Sequence, residues 1–255
     1  MKYFRLCLTI LLATLALPAW AYETTPLRLG MDIWPPYEFQ TTSGRPAGIA
    51  FETTRTVLAE MGIELRSVEV LPWARGLKML EHGEIDVLIS GVRTKERESI
   101  FHYPEESIIT AEWRAFVHCG QSNPAAFTTI ETLDKKTVGT VRSYNYPEKF
   151  MKKLDSIALI DKVNTDETNF RKLVTDRVDV VLSDYLNGLW LLHVLQLNSQ
   201  ICVTPLPIGS RELYPLFSQK TVAKDIVDRF TERLRKFKAT PEYAQLLNRV
   251  ENLDR

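Results

Sequence analysis

Two residues of opposite charge, Arg97 and Asp184, stand at comparable places in a chain of 255 residues. Each follows a copy of the same unit: Glu84-Ile85-Asp86-Val87-Leu88-Ile89-Ser90 before Arg97, and Arg177-Val178-Asp179-Val180-Val181-Leu182-Ser183 directly before Asp184. Both copies come after a helix-like segment and read as short buried strands. A guanidinium offers two parallel donors to a carboxylate, and a carboxylate accepts from an ammonium. Two similar halves, each carrying one of these groups, are suited to closing on a small zwitterion. Further candidate contacts are Ser90 at the end of the first unit, Trp34 and Tyr37 on either side of a stiffening Pro-Pro pair, Trp73 with Arg75 at a helix start, and Tyr144 with Asn145.

The elements that position these residues alternate. Strand patterns at 27–31, 63–70 and 87–90 enclose helical patterns at 48–61 and 72–82, the second with Pro72 at its first turn and Gly83 as its stop. A second round repeats the order, with strands at 138–141, 157–161 and 180–183 and helices at 146–154, 165–175 and 184–197. A strand at 213–218 and helices at 222–237 and 241–250 follow, and these are expected to return to the first half. Strands alternating with helices imply βαβ units and a mostly parallel sheet. Ligands of such sheets bind beyond the carboxyl ends of the strands. Four such ends, at 34–38, 90–97, 142–145 and 183–185, carry conspicuous residues, two from each half, so facing halves would place all four around one cleft.

Lys2 and Arg5 precede an apolar run over residues 6–17, and Ala19-Trp20-Ala21 offers a cleavage site, which reads as a secretory signal removed after Ala21. The run is too short to span the roughly 30 Å of a bilayer's hydrocarbon. Cys7 lacks the small residues before it that a lipoprotein site requires. The chain has 32 basic and 32 acidic residues, and loss of the leader leaves a slight acidic excess, which argues against a nucleic-acid partner. Two cysteines remain, Cys119 and Cys202; an oxidising compartment permits them to pair, which would tie two inter-lobe crossings together and stiffen a hinge, and the alternative is two buried free thiols.

The sequence resembles the bacterial extracellular solute-binding proteins of the polar amino acid type, family 3, over essentially the whole mature chain. The resemblance is carried by Gly30-Met31-Asp32-Ile33-Trp34-Pro35-Pro36-Tyr37-Glu38, Gly48-Ile49-Ala50-Phe51-Glu52, Gly83-Glu84-Ile85-Asp86, Thr94-Lys95-Glu96-Arg97, Phe101-His102-Tyr103-Pro104 and Asp179-Val180-Val181-Leu182-Ser183-Asp184, in order and spacing. It implies an α/β, two-lobed periplasmic binding protein fold of type II, with lobe 1 at 22–118 plus 209–255 and lobe 2 at 119–208. It further implies that Arg97 pairs with a ligand α-carboxylate, that Asp184 takes the α-ammonium, and that Trp34 stacks on the ligand side chain. Asp184 also suits the N-cap of the helix it opens, and both roles are compatible if its oxygens are shared. The chain departs from the family pattern at Val92, where a hydroxyl is common, and at Arg142-Ser143-Tyr144-Asn145, where Gly followed by Ser or Thr is common; these substitutions point to a reshaped pocket.

The resemblance thus implies a monomeric periplasmic protein that captures a small polar solute, an amino acid or related zwitterion, for an ABC-type membrane permease. Two alternatives accompany it: a sensory subunit docking on a membrane receptor, and a dehydratase-like enzyme on the same fold. The enzyme would need a general acid, for which Glu38, His82, His102 and His118 are the candidates. The sequence shows no metal-ligand spacing, nucleophile elbow or phosphate-binding glycine loop, so neither catalysis nor a cofactor is expected.

Overall fold

The computed structural model describes residues 25–142 and 144–251; the expected leader, with Cys7, and Ser143 lie outside the described residues. The first half comprises β1 (Leu27–Met31), the small hairpin β2 (Phe39–Gln40) and β3 (Pro46–Ala47), α1 (Ile49–Glu60), β4 (Leu65–Val70), α2 (Trp73–His82), β5 (Val87–Val92), α3 (Lys95–Glu98), β6 (Phe101–His102) and the long strand β7 (Ile109–His118). The second half runs β8 (Thr137–Val141), α4 (Glu148–Ile157), β9 (Leu159–Val163), α5 (Asp166–Val174), β10 (Val180–Asp184), α6 (Tyr185–Val194) and β11 (Ile201–Val203). Then β12 (Gly209–Ser218), α7 (Lys224–Lys238) and α8 (Pro241–Glu251) complete the chain.

The main sheet is ordered β4-β1-β5-β12-β7-β10-β8-β9. Its outer trios are parallel and mirror each other: β1 lies between β4 and β5, and β8 lies between β9 and β10. Between the trios, β12 and β7 form an antiparallel pair in which Gly209 faces Trp113 and Leu213 faces Ile109. The duplicated units therefore become β5 and β10, the two strands that flank this central pair.

The aspartate of each duplicated unit has the same structural task. The Asp86 carboxylate accepts from the Arg28 backbone N–H at 2.7 Å while its own N–H donates to the Arg28 carbonyl at 2.9 Å. Asp179 does likewise with Thr137, accepting at 2.7 Å and donating at 2.9 Å. Each aspartate thereby locks the start of its strand to the central strand of its trio and fixes the register. In the first half the Arg28 guanidinium adds an ion pair of 2.6 Å to Asp86. Burial alone would raise the Asp86 pKa, but the hydrogen bonds and charge of Arg28 outweigh it and hold the carboxyl below its ordinary value.

Two sets of apolar clusters lie on either side of the central pair. One gathers Leu29, Phe51, Leu58, Phe217, Phe230 and Phe237, with Ala111 and Leu213 at its edge; the other gathers Trp113, Val117, Leu133, Val138, Leu154 and Leu182. The chain thus passes between cores at 111–113 and again at 208–213, and β7 beyond Trp113 already packs in the second lobe. Helices α7 and α8 pack against the first core. Strand β9 begins two residues later than the pattern suggests, because α4 continues to Ile157 before the chain extends at Ala158.

Cys119 and Cys202 form a disulfide with Cα atoms 5.2 Å apart. Its place corrects the expectation that it joins the two crossings: β11 pairs with the far end of β7, Cys202 facing Val117, so the bridge braces the second lobe internally. The crossings meet elsewhere, at 109–113 and 209–213.

If the duplicated aspartates set register, Asp86→Ala should cost about 2–3 kcal/mol, because it strands a guanidinium and a backbone N–H, whereas the exposed Asp179→Ala should cost about 1 kcal/mol. Urea denaturation of the two variants checks the ranking.

Candidate functional site

A cavity of about 280 Å³ lies where the carboxyl ends of the strands meet. Six of the expected residues line it: Trp34, Trp73, Ser90, Arg97, Tyr144 and Asn145. Around them stand Asp32, Ile33, Glu38, Val92, Ala111, Trp113, Arg142, Asn164, Arg211 and Leu213. Both lobes and both crossing strands thus contribute to one wall.

Ser90 occupies a strained position. It has a φ of 64° within β5, where the β12 register slips between Tyr214 and Leu216. Pro215, which has no N–H for the ladder, sits in that slip, as prolines in inner strands must. The irregularity re-aims the Ser90 side chain, whose hydroxyl donates to the buried Glu38 carboxylate at 2.9 Å. The equivalent residue of the other unit, Ser183, donates to the buried Asp166 at 2.8 Å. A hydroxyl is neutral and cannot offset the loss of solvation, so burial raises Glu38 well above its ordinary value and Asp166 to about 6.

Arg97 is held without being neutralised. Thr94 caps α3 by accepting from the Arg97 N–H, and Nη1 donates to the Val92 carbonyl at 3.0 Å. The guanidinium lies over the Trp73 ring, 5.5 Å from its centroid. Trp34 continues the aromatic wall across the cleft, with Tyr144 of the second lobe 6.4 Å away and Trp113 6.1 Å beyond that.

Asp184 and Tyr37 do not line the cavity. They bond to each other beside it: the Tyr37 hydroxyl lies 2.9 and 3.0 Å from the two Asp184 oxygens. Asp184 also caps α6, accepting from the Asn187 N–H at 2.9 Å. The Asn187 amide in turn donates to the Pro35 carbonyl, and Phe39 packs on Trp190 at 4.9 Å, so the 34–39 loop of one lobe is seated on the first turns of a helix of the other. The capping role weighed from sequence is present. The carboxylate is buried, and burial raises it to about 7 against the help of Asn187 and Tyr37.

Several lining residues are not among the candidate contacts read from the sequence, and four of them carry polar groups: Asp32, Asn164, Trp113 and Arg211. Asp32 follows β1 and accepts from the Ile33 and Trp73 N–H groups, which fixes the entry of α2. Asn164 follows β9, a fifth strand end that the same topological rule would have marked. Trp113 and Arg211 sit on the crossing strands; on β7 the alternation of Ile109, Ala111 and Trp113 with Thr110 and Glu112 is a signal that could have marked the face carrying Trp113, whereas Arg211 lies in a polar stretch without one. His82, His102 and His118 lie outside the lining, which removes them as general acids of this cavity.

The family model for bacterial extracellular solute-binding proteins, family 3, matches residues 27–250. A curated relative, the L-cystine-binding protein TcyJ of Escherichia coli (strain K12), is 27% identical over 184 residues, which is 71% of this chain and 66% of the relative's own length. Among solved structures, a histidine kinase sensor domain with similarity to periplasmic binding proteins aligns with a TM-score of 0.73 at 21% identity, covering 89% of this chain and 96% of that one. An amino acid ABC transporter substrate-binding protein of Streptococcus pneumoniae bound to L-arginine aligns at 0.72 and 19%, covering 90% and 95%. An ancestral arginine-binding protein bound to arginine aligns at 0.70 and 20%, covering 88% and 97%. At these identities the structures establish the two-lobed fold.

The raised carboxyls have a consequence for stability. Asp184, raised to about 7, Asp166, raised to about 6, and Glu38, raised well above its ordinary value, each take up a proton in the folded chain at a higher pH than in the unfolded chain, so stability should rise as pH falls from 7.5 to 5. His102, held below its ordinary value by burial and Lys224, acts in the opposite sense, as one group against three. Tyr37→Phe removes the donor to Asp184 and should cost about 1.5–3 kcal/mol at pH 7.5 and less at pH 5. Thermal melts of both proteins at the two pH values check this; a melting temperature that drops steadily below pH 7 refutes it.

Proposed function

Because the chain belongs to the bacterial extracellular solute-binding proteins, family 3, we propose that it captures an amino acid in the cleft between its lobes and presents it to an ABC-type membrane transporter. The observation that carries this reading is Arg97: a guanidinium in the wall of a small cavity, oriented by Val92 and Trp73 and free of any ion pair among the described residues. Its remaining donors suit the α-carboxylate of a ligand bidentately. With the Asp184 oxygens already taken by Tyr37 and Asn187, the ligand's ammonium falls to Asp32, beside which Glu38, pushed by burial towards its neutral form, can still accept through a carboxyl oxygen. Trp34, Trp73, Trp113 and Tyr144 supply the apolar body of the site.

In this reading the contacts of the 34–39 loop with α6 are the closed form's latch, and ligand entry requires them to open by hinge motion at the β7–β12 pair. In this reading the protein works in the periplasm as a monomer, and the N-terminal leader pattern and the extracellular solute-binding family support that location. The bound, closed form is what a permease recognises.

Isothermal titration of the mature protein with a panel of amino acids tests the reading, with L-cystine and arginine included for the ligands named for the similar proteins above, and glutamate and glutamine as an acidic and a neutral polar amino acid. At least one amino acid should bind, and Arg97→Gln should weaken it roughly 10- to 150-fold, the value of a charged hydrogen bond. A folded protein that binds no amino acid refutes the proposal.

A further inference from the structure

The cleft holds more positive charge than one α-carboxylate requires. Three guanidiniums line the cavity of about 280 Å³, those of Arg97, Arg142 and Arg211. None of the three takes part in an ion pair among the described residues, as is true of some arginines outside the cavity; what sets these apart is that they converge on one space. The three also come from separate parts of the fold: Arg97 from beyond β5 in the first lobe, Arg142 from the end of β8 in the second, and Arg211 from the crossing strand β12.

Resting on the amino-acid reading above, we propose that the ligand carries a second acid group, which Arg142 and Arg211 receive while Arg97 holds the α-carboxylate. Arg142 is oriented by a single bond, Nη1 to the Asn164 side-chain oxygen at 2.8 Å, which leaves the rest of its donor fork available. Arg211 is half-buried and its guanidinium has neither a hydrogen bond nor a charge partner among the described residues; loss of solvation holds its pKa below the ordinary value. A partly desolvated guanidinium without a counter-charge is unfavourable unless an anion arrives to pair with it.

The acids in the wall do not supply that anion. The Glu38 oxygens accept from Ser90 and from the Asp32 N–H, and the Asp32 oxygens accept from the Ile33 and Trp73 N–H groups. Each keeps lone-pair capacity for one ligand ammonium, but neither bonds an arginine. The walls have an excess of donors in uncharged form too, since the buried indole N–H groups of Trp34 and Trp113 lack an acceptor among the described residues. An amino acid with one ammonium and two acid groups has the donor and acceptor numbers that this wall lacks. The cavity's size, just below the roughly 300–1,000 Å³ of drug-sized pockets, restricts it to a small molecule.

The glutamate and glutamine arms of the calorimetric panel decide the matter, because the two side chains are close to isosteric and differ by one charge. Extending the panel with aspartate, asparagine and 2-aminoadipate covers other spacings of the second acid. Dicarboxylic ligands should bind at least ten-fold more tightly than their amides, with the ratio falling as salt is raised. Arg142→Gln and Arg211→Gln, checked for folding by their melting curves, should each bring the ratio towards one, and Arg142→Lys should retain part of it. Amides or other neutral amino acids binding as tightly as the acids would overturn this inference while leaving the amino-acid reading intact. Arginine binding in place of the acids would likewise overturn this inference alone, whereas binding of no amino acid in the panel would remove that reading and this inference with it.

Discussion

Residues 109–113 of β7 and 209–213 of β12 pair antiparallel at the centre of the sheet, and the position of every cleft residue follows from that pairing. Because the two parallel trios attach to opposite sides of one pair, their strand ends converge from two lobes on a single space. The pair also contributes side chains of its own, Ala111 and Trp113 from one strand and Arg211 and Leu213 from the other. The same residues that join the lobes therefore line the space between them, and a motion at the crossing changes the shape of the cavity directly.

The electrostatics divide along the same line. Where the chain holds itself together, opposite charges meet: Arg28 with Asp86, Arg93 with Glu98, Lys238 with Glu106. Beside the cleft, acids are instead buried against hydroxyls, Glu38 on Ser90, Asp166 on Ser183 and Asp184 on Tyr37, and guanidiniums stand without acids. Keeping the two kinds of charge apart costs solvation energy. It leaves the site complementary to something the chain does not itself supply, which is how selective binding sites differ from structural ion pairs.

Much of this was legible in the sequence. Strands and helices of both rounds fall within a few residues of their periodic patterns, because each βαβ unit is held by local apolar spacing and by punctuation such as Pro72 and Gly83. The duplicated unit marked the equivalent strands, and the strand-end rule found Trp34, Ser90, Arg97, Tyr144 and Asn145. Less legible were the long crossings: along β7 the buried Ile109, Ala111 and Trp113 alternate with the exposed Thr110 and Glu112 and so mark one face, but the first half of β12 is mostly exposed, and only the pairing of the two strands decides which space each face meets. The bridge between Cys119 and Cys202 shows the same limit, since only the insertion of β11 beside β7 decides which part of the fold it braces.

Sequence alone determined the alternation of elements, the doubling of the half, the family, and the charge types at 97 and 184, since these depend on residue identity and short-range spacing. Tertiary structure decided what those charges face. Asp184 and Tyr37, 147 positions apart, meet in a buried bond beside the cavity, while Arg97, Arg142 and Arg211 reach the same space from three separate segments. Which acid meets a hydroxyl and which arginine remains unpaired is a matter of distances between distant residues, and those exist only once the two trios close on the central strand pair.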